Sequence, residues 1–360
     1  MELSKIRVLH ITNGLNYGGV QKIIYQLCLG TKDTFDKVMV ASIGGVYVEK
    51  LNVIGIEHVT IPDIVEKNPF QVLKTLNIIK KIVKDNRINV IHCHHRMAVF
   101  YAKLVGGNIK IIYNNHTIYS DKQRFSHYVL NNVNLIADGV KAKDNLVDFF
   151  CLDEKRITVI NNAVDEFDGV ETDIPEISDA RKQGYFIVMN SARLHPQKGM
   201  HYYVDAAKIL ITEGCKIKFF IVGDGNLRSD LESQVRSLGL DNDVCFLGFR
   251  KDIKSTIKQA DVLVLTSVYE GLPLTPMEAF SVGTPVVATD IDGTREVIKD
   301  GVNGILVETQ NPESIASGIK TFYDNPDLIK LYSENAYKSY YEDFSIGKFS
   351  ERYLEFYSNL

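Results

Sequence analysis

Residues 185–199 read Tyr185-Phe186-Ile187-Val188-Met189-Asn190-Ser191-Ala192-Arg193-Leu194-His195-Pro196-Gln197-Lys198-Gly199. The first six are a short apolar run, as in a strand covered on both faces. A polar loop follows, and Gly199 opens a stretch with helical spacing to about residue 213. The same unit recurs downstream. Strands are expected at 185–190, 217–222, 244–247, 262–266, 285–288 and 305–307. Helices are expected between them, near 199–213, 226–238, 252–259, 276–282, 294–299 and 312–324. Two or three more helices finish the chain, the last near 345–358.

Upstream the pattern is the same. Strands are expected at 6–11, 37–43, 57–61, 90–94, 110–114, 135–137 and 157–160, with helices to about residue 30 and at 70–85 and 97–105. Short β-branched runs alternating with helices indicate parallel βαβ units with helices on both sheet faces. The polar stretch 165–184, with Pro175 and several acids, shows no clear period and reads as a linker. The fold class is therefore α/β, with two doubly wound, Rossmann-like parallel sheets in tandem. One covers residues 1–166, with a last helix near 345–360 packing back on it; the other covers 180–344. Ligands of such sheets sit at the carboxyl ends of the strands, so a cleft between two facing domains is the expected site.

Composition agrees. The 360 residues suit two domains of about 170 each. A 45% hydrophobic and 24% charged content is ordinary for a globular protein. There is no apolar run of membrane-spanning length and no signal-peptide pattern. Cys28, Cys93, Cys151, Cys215 and Cys245 are scattered and odd in number, which fits reduced thiols in a cytoplasm. Residues 1–165 carry 21 Lys and Arg against 15 Asp and Glu, a balance of +6. Residues 166–360 carry 20 against 30, a balance of −10. Two surfaces with different partners, or a chance imbalance of solvated faces, both account for this. The net −4 and the lack of a recognition motif argue against nucleic acid.

Several loops could carry chemistry. Arg193 and Lys198, five residues apart in a strand-to-helix loop, can converge on a polyanion such as a diphosphate; two solvated cations are the bland alternative. Gly14-Leu15-Asn16-Tyr17-Gly18-Gly19-Val20-Gln21 follows the first strand, where glycines let backbone approach an anion or simply turn the chain. Its spacing is not that of a dinucleotide fingerprint, and no acid ends the second strand.

In Glu270-Gly271-Leu272-Pro273-Leu274-Thr275-Pro276-Met277-Glu278-Ala279, Thr275-x-x-Glu278 with Pro276 at the first helical position reads as a capping box. Glu278 then either caps its helix or accepts from a vicinal diol, while Glu270 lies in the loop near a sugar. Gly223-Asp224-Gly225 and Gly248-Phe249-Arg250 end neighbouring strands. His92-Cys93-His94-His95 suggests a metal cluster, but alternation turns Cys93 away from His92 and His94, and no second ligand set of zinc spacing is present. His116, in Asn114-Asn115-His116-Thr117, ends another strand and reads as a lone histidine at the mouth of the cleft.

Together these motifs resemble the retaining glycosyltransferases of family four, which have the GT-B fold, over essentially the whole chain. The most specific part is Glu-x7-Glu, Glu270 to Glu278. The resemblance implies a nucleotide-sugar donor, UDP-sugar favoured, N-acetylated sugars included and GDP open. Arg193 and Lys198 would hold the diphosphate, Glu278 the ribose, the backbone near Arg250 the base, and Glu270 the donor sugar. The turns at Gly18, Gly19, Gly223 and Gly271 and the amides of Leu274 and Thr275 would complete the donor site, with His116 near the reacting sugar.

The catalytic set implied is His116, Arg193, Lys198 and Glu270, with no metal cofactor. The acceptor implied is a glycan or polyprenyl-linked oligosaccharide, as in bacterial capsule, exopolysaccharide or O-antigen synthesis. The family often has His-Asp where this chain has His116-Thr117, Asn-Gly where it has Asn161-Asn162-Ala163, and an acid where it has Gln21; these departures touch the acceptor side. The stretch 70–87 sets Lys74, Lys80, Lys81, Lys84 and Arg87 beside apolar Val72, Leu73, Leu76, Ile79 and Val83. It is either a helix packed on its sheet or a peripheral contact with an anionic membrane at the inner face of the cell membrane. A nucleotide-sugar epimerase of similar fold and a non-catalytic two-domain sugar-binding protein are the rival readings.

Overall fold

The computed structural model describes every residue of the chain except Tyr17 and Lys67. Tyr17 of the first glycine loop thus lies outside the described residues. The chain forms two units. The first is Met1–Asn162 with Ile346–Leu360, and the second is Ala163–Ser345.

The first unit has seven strands: β1 (Arg7–Ile11), β2 (Lys37–Ser42), β3 (Glu57–Thr60), β4 (Val90–Cys93), β5 (Lys110–Asn115), β6 (Asn134–Ala137) and β7 (Ile157–Val159). All pair in parallel, in the order β3-β2-β1-β4-β5-β6-β7. Period-two alternation divides the faces of this sheet. Leu9, Ile11, Ile91 and Cys93 enter one apolar cluster with Ile79 and Ile82 of the helix Pro69–Asp85 and Ala98 and Ala102 of the helix Arg96–Val105. His10 and His92, adjacent in register, lie between these positions. They face the other side, where the helix Ile346–Ser358 brings buried Tyr353 and Tyr357. Along the helix Pro69–Asp85, Val72, Leu76, Ile79 and Val83 pack as the apolar stripe requires, whereas Leu73 is exposed.

The second unit has six strands: β8 (Phe186–Ser191), β9 (Ile217–Val222), β10 (Val244–Gly248), β11 (Val262–Leu265), β12 (Val286–Thr289) and β13 (Gly304–Val307). Their order is β10-β9-β8-β11-β12-β13, again parallel throughout. Val188 joins one apolar cluster while its neighbours Ile187 and Met189 join another, so this sheet is buried on both faces. Both sheets start in the middle, run outward, return and continue the other way. The points where the order reverses lie between β1 and β4 and between β8 and β11, and there the loops diverge and leave room for a ligand.

The stretch 165–184 corrects the linker reading. It holds the helix Pro175–Lys182, which buries Ile177 and Ala180, with Ile174 at its N-cap, in the second unit's core. Three apolar residues at spacing three suffice for so short a helix, and the polar remainder hid them. Among the described residues no helix is long and apolar enough to cross a membrane.

Candidate functional site

The loops after β8 and β11 are tied together by hydrogen bonds onto the backbone carbonyls of Gln197 and Lys198. Val268 N donates to Gln197 O at 2.8 Å, and Thr266 Oγ1 donates to Lys198 O at 2.9 Å. Gly199 makes this approach possible. Its φ is +58°, and a Cβ there would stand 2.2 Å from Thr266 O, closer than any side chain tolerates.

The splice places Lys198 against Glu270, with Nζ 2.5 Å from Oε1. Ser267 Oγ donates to the same oxygen at 2.6 Å, and Gln197 Nε2 approaches Oε2 at 3.4 Å. The Glu270 side chain is only 8% exposed. Burying a carboxylate is costly unless hydrogen-bond donors and a cation surround it, and Ser267 and Lys198 supply them.

Arg193 is handled differently. It is exposed, and no hydrogen bond or ion pair to it occurs among the described residues. The two cations read as a pair are therefore not equivalent: one is held by Glu270 and the other projects into solvent. The turn Gly223-Asp224-Gly225 packs beneath this loop, with Leu194 N donating to Asp224 O at 3.0 Å. At Gly223, φ is +128° and a Cβ would lie 2.0 Å from Ala192 O.

One motif differs from expectation. The helix after Glu270 is Leu274–Phe280, its N-cap is Pro273, and no side chain caps it. The capping box is thus corrected: Thr275 and Pro276 lie within the first turn, because Pro273 holds the extended backbone a cap residue needs. Glu278 sits on that helix, partly exposed. The Arg250 guanidinium is engaged at home, with NH2 2.6 Å and Nε 3.0 Å from the Asp252 carboxylate and Nε 3.1 Å from Thr256 Oγ1. Arg250 in turn holds the Asp252 carboxyl below its usual range.

Gly18, Gly19 and His116 belong to the first unit and the other expected site residues to the second. Gly18 is extended and begins the helix Gly19–Thr31; Gln21 Nε2 donates to Gly14 O across the loop at 3.0 Å. His116 is not alone. Its Nε2 lies 3.0 Å from His94 Nδ1, and His94 Nε2 lies 3.1 Å from His10 Nδ1. His92 Nδ1 meets Tyr357 OH at 2.6 Å. Burial holds His10 and His116 at about 3 and keeps His92 and His94 well below the usual histidine range, so all four rings are neutral.

His10 escaped sequence reading because its relation to His92 is a register fact between strands some eighty residues apart. The available signal was the likeness of two strands, Val8-Leu9-His10-Ile11 and Val90-Ile91-His92-Cys93. The five cysteines are free, and Cys93 sits in the apolar cluster away from the histidines.

Two family descriptions match the chain: Glycosyltransferase Family 4 over residues 17–166 and Glycosyl transferases group 1 over residues 173–339. An uncharacterised glycosyltransferase of Methanocaldococcus jannaschii is 30% identical over 77% of this chain and 76% of that protein. The chain is a family 4 glycosyltransferase.

Another relative of this glycosyltransferase is the UDP-Gal:α-D-GlcNAc-diphosphoundecaprenol α-1,3-galactosyltransferase of Escherichia coli. It is 24% identical over 99% of this chain and 98% of that one. Among solved structures, Anabaena HepE in complex with UDP superposes with a TM-score of 0.84 at 22% identity, covering 99% of this chain and 100% of that one. A Rickettsia africae glycosyltransferase gives 0.86 at 22% identity, covering 99% and 98%. The fold is GT-B.

Proposed function

We propose that this glycosyltransferase moves a sugar, with retention of anomeric configuration, from a nucleotide-sugar donor to a glycan or polyprenyl-linked acceptor in bacterial surface-polysaccharide assembly. A UDP-sugar is the favoured donor. The carrying observation is the Lys198–Glu270 pair, built from both loops at the second sheet's reversal point. A donor diphosphate takes Lys198 and exposed Arg193, and Glu270 turns to the hydroxyls of the sugar. Glu278 serves the ribose, the backbone near Arg250 the base, and Gly223, Gly271, Leu274 and Thr275 line the phosphate and sugar. The family resemblance also assigns Gly18 and Gly19 to the donor and His116 to the reacting sugar. Names of relatives support the donor class: UDP in the Anabaena complex and UDP-Gal in the Escherichia coli enzyme.

Transfer breaks a sugar–phosphate bond through an oxocarbenium-like state, and negative charge grows on the departing diphosphate. Lys198 and Arg193 stabilise that charge, each contact contributing about 1.5–3 kcal/mol. This reading needs no metal. The leaving phosphate helps deprotonate an acceptor that attacks from the same face.

The first unit takes the acceptor. Its helix Pro69–Asp85 exposes Phe70 and Leu73 beside Lys74, Lys80, Lys81 and Lys84, a surface suited to an anionic membrane at the cytoplasmic face. The deciding experiment is a panel of nucleotide sugars read by thermal shift and donor hydrolysis. A UDP-sugar that stabilises the protein and is hydrolysed supports the reading; a panel that neither binds nor reacts overturns it. Binding to anionic liposomes that is unchanged at high salt would remove the electrostatic part of the membrane proposal.

A further inference from the structure

Four imidazoles meet at the carboxyl ends of β1, β4 and β5, and the proposed reaction uses one. Three of them form a hydrogen-bonded line from His10 through His94 to His116, with N···N separations of 3.1 and 3.0 Å. The line has an end: His10 Nε2 is buried and finds no partner. That end fixes its direction.

A neutral imidazole has one N–H and one bare nitrogen. If protons pointed from His116 toward His10, the last ring would bury an N–H with no acceptor, the rarer defect in native proteins. With the opposite direction, His10 Nδ1–H donates to His94 Nε2 and His94 Nδ1–H donates to His116 Nε2. The unmatched atom is then only a lone pair. Asn114 stands beside His116. Its Oδ1 accepts from Tyr353 OH at 3.0 Å, which turns the amide nitrogen toward His116, 3.1 Å from Nε2 and 3.2 Å from Nδ1. That amide nitrogen faces both ring nitrogens and does not choose between them; the choice comes from His94, whose Nδ1–H donates to His116 Nε2 and leaves the proton of that ring on Nδ1. Burial keeps the whole line uncharged at neutral pH.

We infer that His94 and His10 are positioning residues that hold His116 as the Nδ1–H tautomer, so that His116 meets its ligand as a hydrogen-bond donor and not as a base. An N–H in that place suits an oxygen of a sugar hydroxyl or a phosphate. The ligand's identity rests on the glycosyl-transfer reading above; the tautomer does not. Nitrogens of His10, His92 and His94 also lie within 4.8 Å of one another, which raises metal binding. The rings of His92 and His94 are stacked at 4.6 Å and 11°, however, and both nitrogens of His94 are already bonded within the line. Hydrogen bonding therefore accounts for the cluster, and metal is an outcome to be tested.

The test is a long-range proton–nitrogen spectrum of the full chain carrying 15N-histidine, with His116 assigned by its absence in His116→Asn. The expected pattern is protonation at Nδ1. His10→Phe keeps the ring volume but removes the first donor, and His116 should then populate both tautomers. If that variant does not fold, Tyr353→Phe frees the Asn114 amide and should move the same signal. In donor hydrolysis, His116→Asn, whose amide nitrogen stands near the Nδ1 position, should turn over about tenfold faster than His116→Gln. Protonation at Nε2, a His116 signal unchanged in the folded variants, or one zinc per purified chain that His92→Ala loses would each overturn the inference. Absence of any nucleotide-sugar activity would remove the ligand assignment and leave the tautomer readouts decisive.

Discussion

The two sheets reverse their strand order in the same way, yet the two reversal points are furnished oppositely. Between β8 and β11 stand Lys198, Glu270 and Arg193, two of them paired across 2.5 Å. Between β1 and β4 stand His10, His92 and His94, neutral, with His116 beside them on β5's end. One topology thus supports a charged solution and an uncharged one. A charged site is expected where a polyanion must be met and its growing charge stabilised. A neutral imidazole line is expected where orientation matters and a buried charge would be costly.

Acid should separate the two points most sharply. The histidines have folded values far below their unfolded range near 6.5, at about 3 for His10 and His116. Over that interval the unfolded chain binds protons that the folded chain does not, so stability is present above about pH 6.5 and is lost as pH falls toward 3. The second unit's depressed groups, Asp252 and Asp290, are carboxylates held down by Arg250 and Arg295. Their contribution fades only below about pH 4. Hydrogen exchange followed through an acid titration should show the first unit opening before the second; simultaneous opening would erase the distinction.

Lys198→Ala comes next. Transfer or donor hydrolysis should fall by about 10²–10³ while the protein stays folded. Near-normal turnover would dissociate the charged point from catalysis. A smaller effect is expected at the neutral point. Tyr357→Phe removes the hydrogen-bond partner of His92 Nδ1, on a ring whose Nε2 finds none among the described residues, and should cost about 1–3 kcal/mol in denaturant titration with donor affinity unchanged. The smallest effect should be Thr275→Ala. A capping threonine would cost about 1 kcal/mol, but Thr275 lies past the cap, so a change within about 0.5 kcal/mol is expected.

The contrast also explains what was legible beforehand. Strand periodicity and the run from Tyr185 to Gly199 revealed both sheets, because central parallel strands are written as continuous apolar runs. Lys198, Glu270 and Gly199 were readable because a loop motif is local. Their pairing was not, since it needs Thr266 to meet Lys198 across two loops. The short helix Pro175–Lys182 and the cap at Pro273 are hidden in the sequence because polar composition outweighs three apolar positions and because Pro276, three residues on, draws the boundary. His10 and Tyr357 were invisible for a stronger reason. Their partners are set by strand register and by a helix that returns from the far end of the chain.

That returning helix has a consequence for biogenesis. Ile346–Ser358 seals the face of the first sheet that carries His10 and His92, yet it is translated after all of the second unit. A ribosome releases the first unit's strands long before their last wall exists, although domains ordinarily fold in the order they emerge. The domain begun first is completed last. A nascent chain halted before residue 346 should therefore hold a finished second unit beside a first unit whose histidines are still wet.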